Sequence, residues 1–95
     1  MSNEKDFVIE AGVLENYTGS DENVVISDGV TSIGWRAFSG CSSLKSITIP
    51  DSVRSIGEDA FFECSSLKSV TIPESLTDIH PSAFDGCPDV TFIRN

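Results

Sequence analysis

Val53-Arg54-Ser55-Ile56-Gly57-Glu58-Asp59-Ala60-Phe61-Phe62-Glu63-Cys64-Ser65-Ser66-Leu67-Lys68-Ser69-Val70-Thr71-Ile72-Pro73 decides the fold, because its key residues recur on either side of it. Cys41, Cys64 and Cys87 fall an even 23 residues apart. Val30-Thr31-Ser32-Ile33 and Leu76-Thr77-Asp78-Ile79 match Val53-Arg54-Ser55-Ile56, and each leads to an Ala-Phe pair, Ala37-Phe38, Ala60-Phe61 or Ala83-Phe84. After each cysteine comes Leu44, Leu67 or Val90. Then follow Ile47-Thr48-Ile49-Pro50, Val70-Thr71-Ile72-Pro73 and, without the proline, Ile93-Arg94-Asn95. A fixed period of this length marks a repeat array.

Within one period, Leu44, Ile47 and Ile49 alternate with Ser46 and Thr48, as in a short strand with one face inward. Pro50 ends it, having no N–H for a ladder. Asp51-Ser52 turn the chain into a second extended piece whose Val53 and Ile56 face in, and Gly34 and Gly57 free the backbone for the next corner. Glu58 to Cys64 is too short for an independent helix and suits one helical or 3-10 turn. Ala60 and Phe61 fill the interior there, so Phe38, Phe61 and Phe84 form a ladder, and the cysteines a column of buried free thiols.

The fold class expected is therefore a β-rich solenoid, a short right-handed superhelix of about three 23-residue coils with a parallel strand ladder. One coil cannot stand alone. Each buried apolar side chain contributes roughly 1.5–3 kcal/mol, against roughly 1.5 kcal/mol for every residue ordered. At 95 residues the chain is one domain. It divides into a disordered tail over 1–6, a hairpin cap and polar turn over 7–23, a half coil over 24–29, and repeats over 30–52, 53–75 and 76–95. The cap is a β-hairpin: Phe7-Val8-Ile9-Glu10 and Val13-Leu14-Glu15-Asn16-Tyr17 flank Ala11-Gly12, with Gly12 left-handed where Ala11 would resist. At the other end His80-Pro81 replaces the Gly-x step. Pro88, Asp89 and Arg94 are residue types that discourage pairing at an open strand edge, which points to a terminus there.

The run Val53-x-x-Ile56-Gly57-x-x-Ala60-Phe61-x-x-Cys64-x-x-Leu67-x-x-Val70-x-Ile72-Pro73 resembles the repeat of the BspA-like (Treponema pallidum type) leucine-rich repeat family, over about Val24 to Ile93. The resemblance implies a solenoid used for protein recognition. It also implies adhesion or surface recognition in bacteria or protists, and no common catalytic site.

Charge narrows the partners. Fifteen acidic against six basic residues leave a net charge of −9, which disfavours nucleic acid and anionic lipid. No stretch approaches the ~20 apolar residues of a membrane span, and Met1 to Asp6 carry no basic start followed by an apolar run. The chain is consistent with a cytoplasmic protein or with a mature or excised piece of an exported one.

Chemistry is sparse. His80 with Cys87 is the sole base and nucleophile pair, without an orienting third group. His80 reads better as a corner variant. Asp28, Asp51 and Glu74 follow the strand ends in successive coils and are a weak candidate for shared calcium, although Ser52 and Ser75 beside them suggest turn chemistry. No cofactor is expected, and Asn16-Tyr17-Thr18 fits a glycosylation acceptor only by coincidence.

The outward strand positions form the obvious platform for a protein partner: Asn23, Ser46, Ser69 and Phe92 in one column, Val25, Thr48, Thr71 and Arg94 in the next. Trp35 and Phe62 are large aromatics at non-repeating positions, the residue type that dominates interface energies. The expected function is a non-catalytic protein-binding module anchored by Trp35 or Phe92. The alternative is an architectural array that associates end to end and has no dedicated ligand.

Overall fold

Short strands bounded by proline, glycine and serine turns leave the chain no way to bury its apolar residues except by stacking one turn on the next. The computed structural model, which describes residues 6–94, shows this stacking. The strands are β1 Phe7–Glu10, β2 Val13–Tyr17, β3 Asn23–Val25, β4 Ser32–Ile33, β5 Ser46–Thr48, β6 Ser55–Ile56, β7 Ser69–Ile72, β8 Asp78–Ile79 and β9 Thr91–Arg94. They form two sheets, β1-β2-β4-β6-β8 and β3-β5-β7-β9, and the chain crosses from one to the other through about four turns. Every pairing is parallel except β1 on β2. The expected tail lies outside the described residues apart from Asp6, whose carbonyl accepts the Thr18 amide at 2.8 Å.

The side chains between the sheets are apolar, and no polar or charged residue is fully buried among the described residues. The phenylalanine ladder is longer than its period shows. Phe38, Phe61 and Phe84 stack at 4.9 Å between centroids, nearly parallel; Tyr17 stacks on Phe38 at 5.1 Å and Phe7 tilts onto Tyr17 at 5.7 Å. Phe92 closes the other end edge-on against Phe84 at 5.0 Å. Six rings thus form one spine, each contact worth about 0.5–1.5 kcal/mol beyond its burial.

Several local expectations are corrected. The corner from Gly57 to Cys64 is not a helical or 3-10 turn but a chain of tight turns, closed by Ala60 N–H to Gly57 O, Phe62 N–H to Asp59 O and Cys64 N–H to Phe61 O. Left-handed residues Asp59 (φ 55°) and Glu63 (φ 57°) separate them, as Arg36 and Gly40 do one coil earlier. The kinks aim alternate amides along the axis: Phe38 and Phe61 donate to Ala60 and Ala83 of the next coil at 2.7 Å, which a helix would forbid. Gly57 is there for space, not φ. A Cβ on it would lie 3.1 Å from the Ile33 carbonyl below.

In the hairpin both Ala11 (φ 51°) and Gly12 (φ 82°) are left-handed, because a two-residue loop that follows strand twist needs positive φ at both. The hairpin also does more than cap. Its β2 lies parallel to β4 and Tyr17 donates its amide to Ala37 O at 2.9 Å, so β2 is itself the first rung, with only β1 added antiparallel outside it.

The cysteines are free, but only Cys64 is fully enclosed; Cys41 and Cys87 are half-buried in the coils on either side of it. Finally, Thr91, not Phe92, lies opposite Ser69, and Phe92 faces Val70. The last rung is one residue short of the period, which puts the Phe92 ring against Phe84 while half of it stays in solvent.

Candidate functional site

The Trp35 corner is the most distinctive surface. Gly34 N–H bonds Leu14 O at 2.8 Å and Ala37 N–H returns to Gly34 O, so Trp35 occupies the second position of a tight turn and Arg36 the left-handed third. That geometry throws the indole outward, 64% exposed. The Arg36 guanidinium carbon lies 5.1 Å from the Trp35 ring centroid and 6.0 Å from that of Phe62 one coil on. Its Nε stands 3.8 Å from an Asp59 carboxylate oxygen. Each cation–π contact at such a site contributes about 0.5–1 kcal/mol, and the ion pair ~0–1 kcal/mol. Together they hold two aromatic rings and a cation in a set arrangement before any partner arrives.

The outer face of β3-β5-β7-β9 is flatter. With the register as observed, its columns run Asn23, Ser46, Ser69, Thr91 and Val25, Thr48, Thr71, Ile93. Ser46 Oγ donates to Asn23 Oδ1 at 2.6 Å, and Glu22 and Lys45 pair at 3.7 Å beside them. Phe92 and Arg94 therefore leave the positions expected for them. Arg94 faces Ile72 and turns its guanidinium onto the carbonyls of Leu76 at 3.1 Å and Glu74 at 3.4 Å.

The residues of the two chemical candidates have the following surroundings. Asp28, Asp51 and Glu74 stay exposed, and among the described residues no three histidine, cysteine or carboxylate side chains converge on a metal. Ser52 does the work at that turn, accepting from Gly29 N–H at 3.3 Å and donating to Val30 O at 2.8 Å. His80 and Cys87 are engaged elsewhere. His80 Nδ1 meets the Ser82 amide at 3.1 Å and its hydroxyl at 3.0 Å, and Cys87 donates to Phe61 O at 3.0 Å.

Cys64 makes the same bond to Phe38 O, at 3.0 Å. Cys41 lines a cleft with Tyr17, Asp21 and Ser39. Hydrogen bonding from Cys64 lowers it below the ordinary thiol range, while the same contact and burial push Cys64 well up.

Comparison with known proteins places this architecture. The profile of the BspA type leucine-rich repeat region, in six copies, matches residues 8–94. The chain belongs to the BspA-type leucine-rich repeat family. Among solved structures this BspA-type chain is similar to a Treponema pallidum leucine-rich repeat protein, at 32% identity and a TM-score of 0.75 over 85% of this chain and 42% of that one. A Bacteroides capillosus leucine-rich repeat protein matches at 29% and 0.69 over 84% of this chain and 62% of the other. One from Bacteroides ovatus matches at 28% and 0.59 over 95% and 37%. The chain thus spans less than two thirds of each. No curated protein matches it significantly.

Leucine-rich repeats generally mediate protein interactions, and among the described residues no helix is long and apolar enough to cross a membrane. Arg36 is the surface residue that the period hid. The signal lay in its column, where Arg36 and Asp59 carry opposite charges one coil apart.

Proposed function

We propose that this BspA-type chain is a non-catalytic protein-binding solenoid whose partner docks on the corner formed by Trp35, Arg36 and Phe62. The observation that carries the reading is an indole 64% exposed yet braced by a cation that a second ring and a carboxylate also hold. Large exposed side chains ordinarily lose freedom on binding, and pre-ordering reduces that cost. Tryptophan and arginine are also the residues that most often dominate an interface. Ser46, Thr48, Ser69 and Thr71 supply a flat hydroxyl surface on the β5-β7 face that adds complementarity rather than an anchor. Adhesion or surface recognition, which the family resemblance suggests, is one form such binding takes.

Affinity capture from the source cell with the wild-type chain and with Trp35→Ala tests this. A protein retained by the wild type and lost by the variant, at equal melting temperature, is the expected result. Equal retention overturns the corner as the site.

The exposed Phe92 and Ile93 favour a second reading, an architectural module without a dedicated ligand that associates end to end. An oligomer growing with concentration in size-exclusion chromatography would establish it.

A further inference from the structure

We propose that Cys41 and Cys64 are a redox-active pair, closing a disulfide between adjacent coils by exchange with a small cationic or neutral disulfide that enters the cleft beside Tyr17. The pair is separate from the Trp35 corner and does not depend on a partner there.

The stack sets the two cysteines side by side. Gly40 donates its amide to Phe62 O at 2.7 Å, and Cys41 and Cys64 close the same turn in successive coils, onto Phe38 O and Phe61 O, each at 3.2 Å. The Phe38 and Phe61 rings stack with 4.9 Å between centroids. Residues in register on such neighbours stand at the strand spacing of about 4.7–4.9 Å, inside the roughly 4.4–6.8 Å between Cα atoms that a disulfide spans. The Cys64 thiol also leans the right way. Its Sγ lies 3.0 Å from Phe38 O, the carbonyl that already accepts the Cys41 amide. Bridging removes that S–H donor and leaves the carbonyl its amide partner, so no buried polar group is orphaned.

Cys41 is reachable because the segment over it is short. Tyr17 stacks on Phe38 and Asn23 pairs with Ser46, yet the chain from Tyr17 to Asn23 is two residues shorter than from Phe38 to Ser46. Cys41 is therefore half-buried where Cys64 is enclosed. The Tyr17 hydroxyl donates to Asp21 Oδ2 at 3.1 Å and accepts the Asp21 amide at 3.2 Å, which holds the short loop in place. Between loop and coil lies a cavity of about 280 Å³ whose lining includes Tyr17, Gly19, Asp21, Ser39, Cys41 and Ser42. It falls under the roughly 300–1,000 Å³ of sites for drug-sized ligands, which limits the reagent to a small one. Asp21 in the wall, with the exposed Glu22 beside it, disfavours an anion.

Thiol chemistry sets the order of events. Contact with Cys64 lowers the Cys41 pKa, whereas burial raises that of Cys87. Cys41 is thus the attacking thiolate. It displaces one half of the reagent as a thiolate and forms a mixed disulfide. Cys64 then attacks the Cys41 sulfur, the bond to the reagent breaks, and the second half leaves as a thiol carrying the Cys64 proton. Both cysteines are oxidised while one small disulfide is reduced to its two thiols. The bridge clasps the coil of Trp35 and Arg36 to the coil of Asp59 and Phe62.

The test uses the reduced full chain at about pH 8 with cystamine, a dication, and dithiodiglycolate, a dianion. Trypsin places the cysteines in separate peptides, Ala37–Lys45, Ser55–Lys68 and Ser69–Arg94, so mass spectrometry reads the pairing directly. Cystamine is expected to join the first two and leave Cys87 open to alkylation, and dithiothreitol to reverse the bridge. The oxidised chain should melt on the order of 10 °C higher. Dithiodiglycolate should react at least roughly tenfold more slowly at low salt, the gap narrowing towards about 500 mM. Cys64→Ala should stop at the Cys41 mixed disulfide, Cys41→Ala should leave Cys64 reduced, and Cys87→Ala should change neither rate nor product. A Cys41 mixed disulfide that stays unresolved in the native chain, a bridge from Cys64 to Cys87, a bridge formed only in urea, or equal rates for the two reagents overturns the proposal.

Discussion

The first and last described coils of this solenoid are built from the same repeat and covered differently. At the N-terminal end β1 folds back over β2, and Phe7 and Tyr17 continue the ring spine until it is shut. In the last described coil Phe92 lies edge-on over Phe84 with half its surface in water. Stability in a stacked array is a sum of coil and interface terms, so the same side chain contributes according to where in the stack it sits. The contrast teaches that the period defines a coil's interior, and the neighbours decide how much that interior is worth.

The sharpest way to break this contrast is to delete equivalent rings. Phe61→Ala removes a fully buried ring held between Phe38 and Phe84, and should cost about 3–5 kcal/mol. Phe84→Ala removes a partly covered one and should cost about half as much by the same scaling. Urea denaturation of both variants measures the difference. Equal losses would mean that the last coil is as well covered in solution as the middle one, and the open end would disappear from the account.

A thiol gradient runs along the same axis. The thiol contact with Cys41, then burial, hold Cys64 protonated well above its unfolded value near 9.0. A group raised on folding contributes stability that is complete below the unfolded pKa and is lost as pH climbs beyond it. Stability should therefore fall above about pH 9, partly offset by Cys41, which the same contact lowers, and the fall should be shallower in Cys64→Ala. Tyr17, raised chiefly by burial, and Cys87, raised chiefly by burial, act in the same direction and remain in the variant. Alkylation of the native chain near pH 8 should modify Cys41 first and Cys64 only on unfolding, followed by mass spectrometry of peptides. Early modification of Cys64 would contradict the enclosure of the middle coil.

Most of the architecture was legible because it repeats. Three copies of one pattern specify which side chains face inward, since a single inconsistent copy would break the stack. What the period could not show is what happens once per molecule. The left-handed corner residues Arg36 and Asp59 share no residue type, so nothing but the backbone marks them, whereas Glu63 stands in the column of the left-handed glycines Gly40 and Gly86. Tyr17 took a phenylalanine's place 21 positions before Phe38, outside the 23-residue register, because the hairpin reaches the rung by a shorter path. Phe92 left its column for the same class of reason: an aromatic ring at an open end gains more from the spine than from the period. Of the surface, Trp35 and Phe62 were visible as departures from the repeat. Arg36, which links them, was not, because its contact depends on the turn that aims it.

The smallest effect asked of the comparison concerns the first strand of β3-β5-β7-β9. Ser27 stands in the column of Pro50 and Pro73, and its Oγ is buried without a hydrogen-bond partner. All three positions close the same turn: Val30, Val53 and Leu76 donate to Ser27, Pro50 and Pro73 carbonyls at 3.4, 3.1 and 3.1 Å. The inner coils therefore show that this rung needs no amide at that position and that proline fits its backbone. Ser27→Pro removes an unpaired buried hydroxyl and narrows the unfolded ensemble, and should stabilise the chain by about 0.5–1.5 kcal/mol. A rise of a few degrees in melting temperature is the expected readout. A fall would mean that the rung beside the hairpin takes its conformation from the cap and not from the repeat, and the equivalence of the first coil with the inner ones would end at Ile26.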